Sequence, residues 1–239
     1  VALLMSWAVG LAIFACARGI YGPMAGLLAL AAWTAMPEAV AQAGLIGMDL
    51  PTALAFMLVM MALRRLVLRG NGIDIALMTL AIGAALLTRY SVLQLVPVVA
   101  ALAVWAVLGG MARRPGVLIW GLLAAGVGGV ALLDLGYLGQ LTMLPMGQRG
   151  LESHGMKEIA RQLPWLRLPL PDAYIAGLDY LRFITESFKP IFVLGAPRTE
   201  SVWWYFPLAA AVKWPLGWLG ILVLRLGFVE SRRVQQFRH

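Results

Sequence analysis

Three groups of residues carry side chains that could bind or move charge in a chain otherwise almost devoid of them. The first is Asp49, the only carboxylate in a weakly polar bend, Gln42 to Pro51, set between two apolar runs. A carboxylate at the tip of a membrane hairpin lies near enough to water to ionise and near enough to lipid to meet an amphiphilic substrate. Its plainer alternative is an N-cap for a helix starting at Leu50 and Pro51. The second group is Arg89 with Tyr90, at a junction between apolar runs, where a guanidinium could hold a phosphate by two hydrogen bonds or reach out to lipid headgroups. The third is Trp203, Trp204 and Tyr205, followed by Lys213; such a cluster suits stacking on a sugar ring or anchoring at a membrane interface, and Lys213 a second phosphate contact or an anchor.

The elements that must position these residues are membrane spans. Of 239 residues, 62% are hydrophobic and 13% charged, with a mean hydropathy of +0.85. That composition describes an integral membrane protein. Apolar runs cover about 1–17, 23–46, 50–68, 73–88, 91–108, 117–138 and 206–229, each near the ~20 residues a helix needs to cross hydrocarbon. The expected fold is an all-α polytopic membrane protein of about seven transmembrane helices. Residues 1–138 form its core of about six spans, 139–205 an outer-face segment with interfacial helices, 206–229 the last span and 230–239 a polar tail. Pro97, Pro207 and Pro215 should kink or interrupt their helices.

The formal charge of +8 comes from 16 Arg against 3 Lys. In so apolar a chain it reads as loop topology, and no basic stripe on a polar helix points to nucleic acid. Arginines collect in alternate gaps: Arg18; Arg64, Arg65 and Arg69; Arg113 and Arg114; and Arg225 to Arg238. By the positive-inside rule those gaps are cytoplasmic. Asp49, Arg89 and the long segment from about Gly139 to Lys213 then share the outer face. Within that segment, residues 174–189 place Ile175, Leu178, Leu181 and Phe188 on one helical face with Asp179, Arg182 and Glu186 turned away, the pattern of a helix lying in the interface.

Other residues invite plainer readings. Cys16 stands alone in an apolar run and offers no disulfide or thiolate site. His154 is the only histidine besides His239, so no two-histidine metal site arises, and it reads as a solvated loop residue. The glycines of 121–139 suit close helix packing. No metal or cofactor is assigned.

Three stretches, in order, resemble one family pattern. Tyr21-Gly22-Pro23-Met24-Ala25-Gly26-Leu27-Leu28, running through Met36-Pro37 to Asp49-Leu50-Pro51, is similar to "FGPRAGLL … SP … TDLPLA". Leu87-Thr88-Arg89-Tyr90-Ser91 is similar to "LTKYS", with Arg89 in place of Lys. Trp203-Trp204-Tyr205-Phe206-Pro207 and Lys213-Trp214-Pro215 are similar to "WWYYFP … LKTP", with Trp214 in place of Thr. The chain thus resembles the phospholipid-carrier-dependent glycosyltransferases of the GT-C superfamily, the branch of protein O-mannosyltransferases and lipid A aminoarabinose transferases.

The resemblance implies an enzyme that moves a sugar from a polyprenyl-phosphate-linked donor to an acceptor at the outer, periplasmic face of a bacterial inner membrane. It implies substrate-binding roles for Asp49, Arg89, Tyr90, Trp203, Trp204, Tyr205 and Lys213. In this family the acids thought to activate the acceptor lie in the first outer loop, so the general base is expected upstream of Val1, outside a chain that reads as a fragment. The rival expectations are a secondary transporter or flippase, for which Asp74 and Asp134 are the candidate acids, and a non-enzymatic membrane subunit.

Overall fold

The computed structural model describes residues 2–45, 47–186, 191–193, 195–198 and 203–213. The chain divides into two compact units, Val1–Ser187 and Phe188–His239. In the first, α1 (Ala2–Tyr21), α2 (Pro23–Thr34), α3 (Pro37–Ala43), α4 (Asp49–Leu68), α5 (Gly72–Thr88), α6 (Leu95–Leu108) and α7 (Pro115–Gly136) are followed by α8 (His154–Gln162) and α9 (Asp172–Glu186). The second holds a two-stranded antiparallel hairpin, β1 (Ile191–Val193) and β2 (Ala196–Arg198), and α10 (Tyr205–Lys213). The described residues are mostly helical, compatible with the expected all-α membrane protein, with a short hairpin in the second unit.

Among the described residues four stretches are long and apolar enough to cross a membrane: Ala2–Tyr21, Asp49–Leu68, Tyr90–Leu108 and Pro115–Gly136. The expected second span is instead a pair, α2 and α3, bent by 66°. Pro37 causes the break: it lacks an N–H to continue α2, and it forces Met36 into the extended backbone it shows, φ −79° and ψ 119°. α5 is apolar but only 17 residues long. Pro97 and Pro207 bend nothing, because each sits in the first turn of its helix, where no N–H is needed. The irregularity expected at Pro97 lies just before it, as a 3-10 turn over Tyr90–Gln94. Of the expected last span, residues 214–229 lie outside the described residues, as do Pro215 and the tail.

The core of the helical unit sits among α4, α5, α6 and α7, around Leu63, Leu66, Met78, Leu118 and Ala125. α5 and α7 pack closest, as the glycine pattern predicts. A Cβ added at Gly129 would come within 2.5 Å of the Ile82 side chain, and one at Gly136 within 2.5 Å of Leu87. The helices approach along a seam that larger residues would hold apart.

The arginine-bearing loops meet one another. Arg64 Nη2 donates to the Gly19 carbonyl at 3.2 Å, and Arg113 N–H donates to the Val67 carbonyl at 3.0 Å. The loops holding Arg18, Arg64 to Arg69, and Arg113 with Arg114 thus gather at one end of the unit. Asp49 begins α4 at the other end, about 30 Å away along a 20-residue helix.

Candidate functional site

At that other end the structure joins two of the sequence candidates directly. Arg89 Nη1 donates to Asp49 Oδ1 at 2.9 Å, and Gln42 Nε2 reaches Asp49 Oδ2 at 3.5 Å. Asp49 is not the N-cap. Met48 holds that position with no side-chain cap, and Thr52 donates its hydroxyl to the Met48 carbonyl instead. Asp49 is the first residue of α4, where a carboxylate still gains from the positive helix end while its oxygens remain free for side chains.

Arg89 follows α5 with an extended backbone, φ −160° and ψ 146°, and the chain then coils into the 3-10 turn. The extended residue aims its guanidinium across the end of the unit toward α4. The pair is open to solvent, the side chains being 52% and 60% exposed. An exposed ion pair contributes only about 0–1 kcal/mol, because water and salt screen it. Arg89 Nε and Nη2 have no acceptor among the described residues, so the guanidinium is oriented and only partly used.

Beside this pair an apolar groove of about 730 Å³ runs between α1 and the bent pair α2–α3. Leu3, Trp7, Leu30 and Trp33 line it, and Ala43 and Gly44 close the end nearest Gln42 and Asp49. Trp33 satisfies its indole N–H on the Ser6 carbonyl at 3.3 Å, which leaves a hydrocarbon face toward the groove. Sequence reasoning missed this groove, since it arises from the 66° bend.

Tyr90 turns inward. Its ring meets Tyr174 of α9 edge-on at 4.9 Å, and Tyr174 in turn meets Tyr137 at 6.1 Å. Gly177, one turn further along α9, leaves room for the Tyr90 hydroxyl, which any Cβ there would strike. Tyr174 is fully buried against Leu86 and Leu133, and its hydroxyl has no partner. Burial, with Tyr90 and Tyr137 nearby, pushes its pKa up to about 12. The segment holding α8 and α9 is therefore anchored at the residue next to Arg89. Tyr174 and Gly177 escaped the sequence reading, which assigned α9 to the interface by its periodicity alone.

That assignment needs a second correction. Asp179, expected to face water, is 3% exposed. Its carboxylate accepts the Ser153 hydroxyl at 2.6 Å and the N–H groups of Ser153 and Glu152 at 3.1 and 2.7 Å. Leu181, expected on the apolar face, is exposed, while Tyr174 and Ile175 are buried. Burial pulls the Asp179 pKa upward, but the Ser153 hydroxyl, the two N–H groups and the Lys157 charge outweigh it and hold the carboxyl below its ordinary range.

Glu186 accepts the N–H groups of His154 and Gly155 at 2.6 and 2.9 Å, so α9 satisfies the open donors at the start of α8. The Gly155 N–H leads in lowering the Glu186 pKa, against a desolvation pull, with the His154 N–H and Arg182 adding to it. His154 is exposed, but it opens a helix and is not a loop residue. In the preceding loop, Arg149 donates twice to the Leu144 carbonyl and pairs with Asp172 at 2.6 Å, while Thr142 also bonds Asp172. Asp172 is lowered, first by the Thr142 hydroxyl against a desolvation pull and then by Arg149.

Trp203, Trp204, Tyr205 and Lys213 belong to the second unit. Trp203 is exposed, Trp204 and Tyr205 are half-buried, and Tyr205 opens α10 with its ring edge-on to Phe206 at 5.4 Å; Lys213 closes that helix. The structure thus brings Asp49, Arg89 and Tyr90 together in one unit and describes the aromatic cluster in the other. Among the described residues no three His, Cys, Asp or Glu side chains converge on a metal-sized site. Cys16, expected in the core, is half-buried and free. Comparison with protein-family models, curated proteins and solved structures finds no match.

Proposed function

We propose that the chain handles the donor in a membrane glycosyltransferase reaction that takes its sugar from a polyprenyl-phosphate-linked donor on the outer face of the membrane. The observation that carries this reading is the Asp49–Arg89 pair: a solvated guanidinium with unused donors, at the end of the helical unit opposite the arginine-rich loops, beside an apolar groove. An amphiphile with a phosphate head and a hydrocarbon tail matches both halves of that arrangement. The resemblance of the segments around Asp49, Arg89 and Trp203 to the GT-C pattern supports the same substrate class.

In the proposed reaction an acceptor hydroxyl, relieved of its proton by a carboxylate, attacks the anomeric carbon. The bond from that carbon to the phosphate oxygen breaks, and the lipid phosphate leaves with the electron pair. Arg89 holds the charge that grows on the phosphate, where a preoriented cation does most for the rate. Asp49 is a positioning residue: it fixes one edge of the guanidinium and leaves the rest for the phosphate. No residue of this chain is assigned as the general base.

The test is transfer of a labelled sugar from a polyprenyl-phosphate donor by the full-length enzyme. Arg89→Ala should raise the donor KM at least about tenfold, the loss of one charge-assisted contact; unchanged KM and turnover would remove Arg89 from the donor site. The transporter reading predicts vesicle uptake with no transfer. Its candidate Asp74 is already held by Arg65 at 3.0 Å.

A further inference from the structure

The arginine-rich end holds an arrangement that the proposed reaction does not use. Among the described residues it carries Arg18, Arg64, Arg65, Arg69, Arg113 and Arg114, against one carboxylate, Asp74. Two of these arginines are already occupied, Arg65 by Asp74 and Arg64 by the Gly19 carbonyl. Arg18 stacks its guanidinium over Phe14 at 5.9 Å. Arg69, Arg113 and Arg114 are exposed, with no side-chain partner among the described residues.

These three meet at one corner. Arg69 caps the end of α4, and the turn before α7 is tied to that end by the bond from Arg113 N–H to the Val67 carbonyl. Gly70 adopts a positive φ of 61°, and a Cβ there would stand 3.5 Å from the Arg114 Cβ. The missing side chain and the left-handed turn let the Arg114 stem come down onto the end of α4. Three guanidinium stems therefore start from adjoining backbone, with no acid among the described residues that pairs with them.

The surroundings indicate what does. Leu68, Leu108 and Met111, on the same helix ends and turn, are exposed hydrophobic residues. Unpaired guanidinium groups above an exposed apolar rim match a molecule with an anionic head and a hydrocarbon tail. A small free anion would satisfy the arginines and leave the rim in water. We propose that the corner formed by Arg69, Arg113 and Arg114 is a headgroup site for an anionic phospholipid of the adjacent leaflet, the lipid phosphate taking the guanidinium donors and the acyl chains covering Leu68, Leu108 and Met111. The site is independent of the sugar-transfer reading.

The experiment uses the full chain in bilayer discs of phosphatidylcholine containing a minority of phosphatidylglycerol, with retained lipid counted by native mass spectrometry after mild detergent extraction. Phosphatidylglycerol should be enriched at least about threefold over its bulk share, as expected for several basic groups near a surface. R69Q/R113Q/R114Q should abolish the enrichment, and Arg18→Gln, at the same end but away from the corner, should preserve it. R113Q/R114Q, which leaves α4 untouched, gives the same reading if the triple variant misfolds. Equal retention of the two lipids, enrichment that survives R113Q/R114Q, or displacement of the lipid by millimolar inorganic phosphate as easily as by phosphatidylglycerol would overturn the proposal.

Discussion

The two ends of the α4–α5 hairpin are each closed by an Asp–Arg pair, and the pairs are built in opposite ways. At the arginine-rich end Arg65 donates to Asp74 at 3.0 Å, and the acid is fully buried while the arginine is 41% exposed. Asn71 caps the same turn by accepting the Asp74 N–H at 2.9 Å. At the other end Asp49 and Arg89 are both more than half exposed. A charge buried inside a helix pair is tolerable only while its partner stays, so the first pair is committed to the fold. The second is held by little more than proximity, and an incoming anion can share its guanidinium without undoing anything. The same two residue types thus make a rivet at one end and an exchangeable contact at the other.

The comparison breaks most visibly at the rivet. Arg65→Ala should destabilise the helical unit by about 3 kcal/mol, because it leaves a buried carboxylate unpaired, and thermal unfolding in detergent would show it. Replacing both Arg65 and Asp74 by leucine should recover most of that loss. Gly177→Val should cost about 1–3 kcal/mol by driving a side chain into the Tyr90 hydroxyl, and hydrogen exchange should rise in α9 before it rises in α4.

A pH titration sharpens the contrast within the segment that holds α8 and α9. Asp179 and Glu186 titrate lower when folded than when unfolded. Their contribution is complete above the ordinary carboxylate range, about pH 4, and fades as pH falls through their lowered folded values. Protease sensitivity of the loop before α8 should therefore appear on acidification and not on alkalinisation to pH 9. At the exchangeable end, Asp49→Asn should change stability by less than about 1 kcal/mol. Its signature is functional: donor affinity should fall while the melting profile stays in place, and a shared loss of both would place Asp49 with the rivets.

Much of this was legible from composition and periodicity. The apolar runs located α1, α4, α5, α6 and α7 to within a few residues, because burial in lipid demands long uninterrupted helices with no compensating tertiary choice. The arginine spacing sorted the loops into two ends, and Gly129 and Gly136 announced a close seam. What the sequence did not reveal depends on contacts distant in the chain. Asp49 and Arg89 are 40 residues apart, and nothing local marks them as partners. Asp179 looked like a solvent-facing acid, since helical periodicity cannot foresee that Glu152 and Ser153, just before α8, would lay three donors over it. Pro37 breaks a run read as one span over 23–46, and the angle of the break, with the groove that the angle opens, comes from packing α3 against α1.

The length of α5 has a consequence for the bilayer itself. Seventeen residues rise only about 25 Å, against a hydrocarbon thickness of about 30 Å. Asp74 sits in its first turn and Arg89 directly after it, so polar groups bracket a stretch too short to match an undisturbed membrane. A bilayer meets so short a span by thinning, by snorkelling of flanking residues or by helix association, each at a fraction of a kcal/mol per Å. Thinning of that kind would bring lipid phosphates to the level of the Arg89 guanidinium.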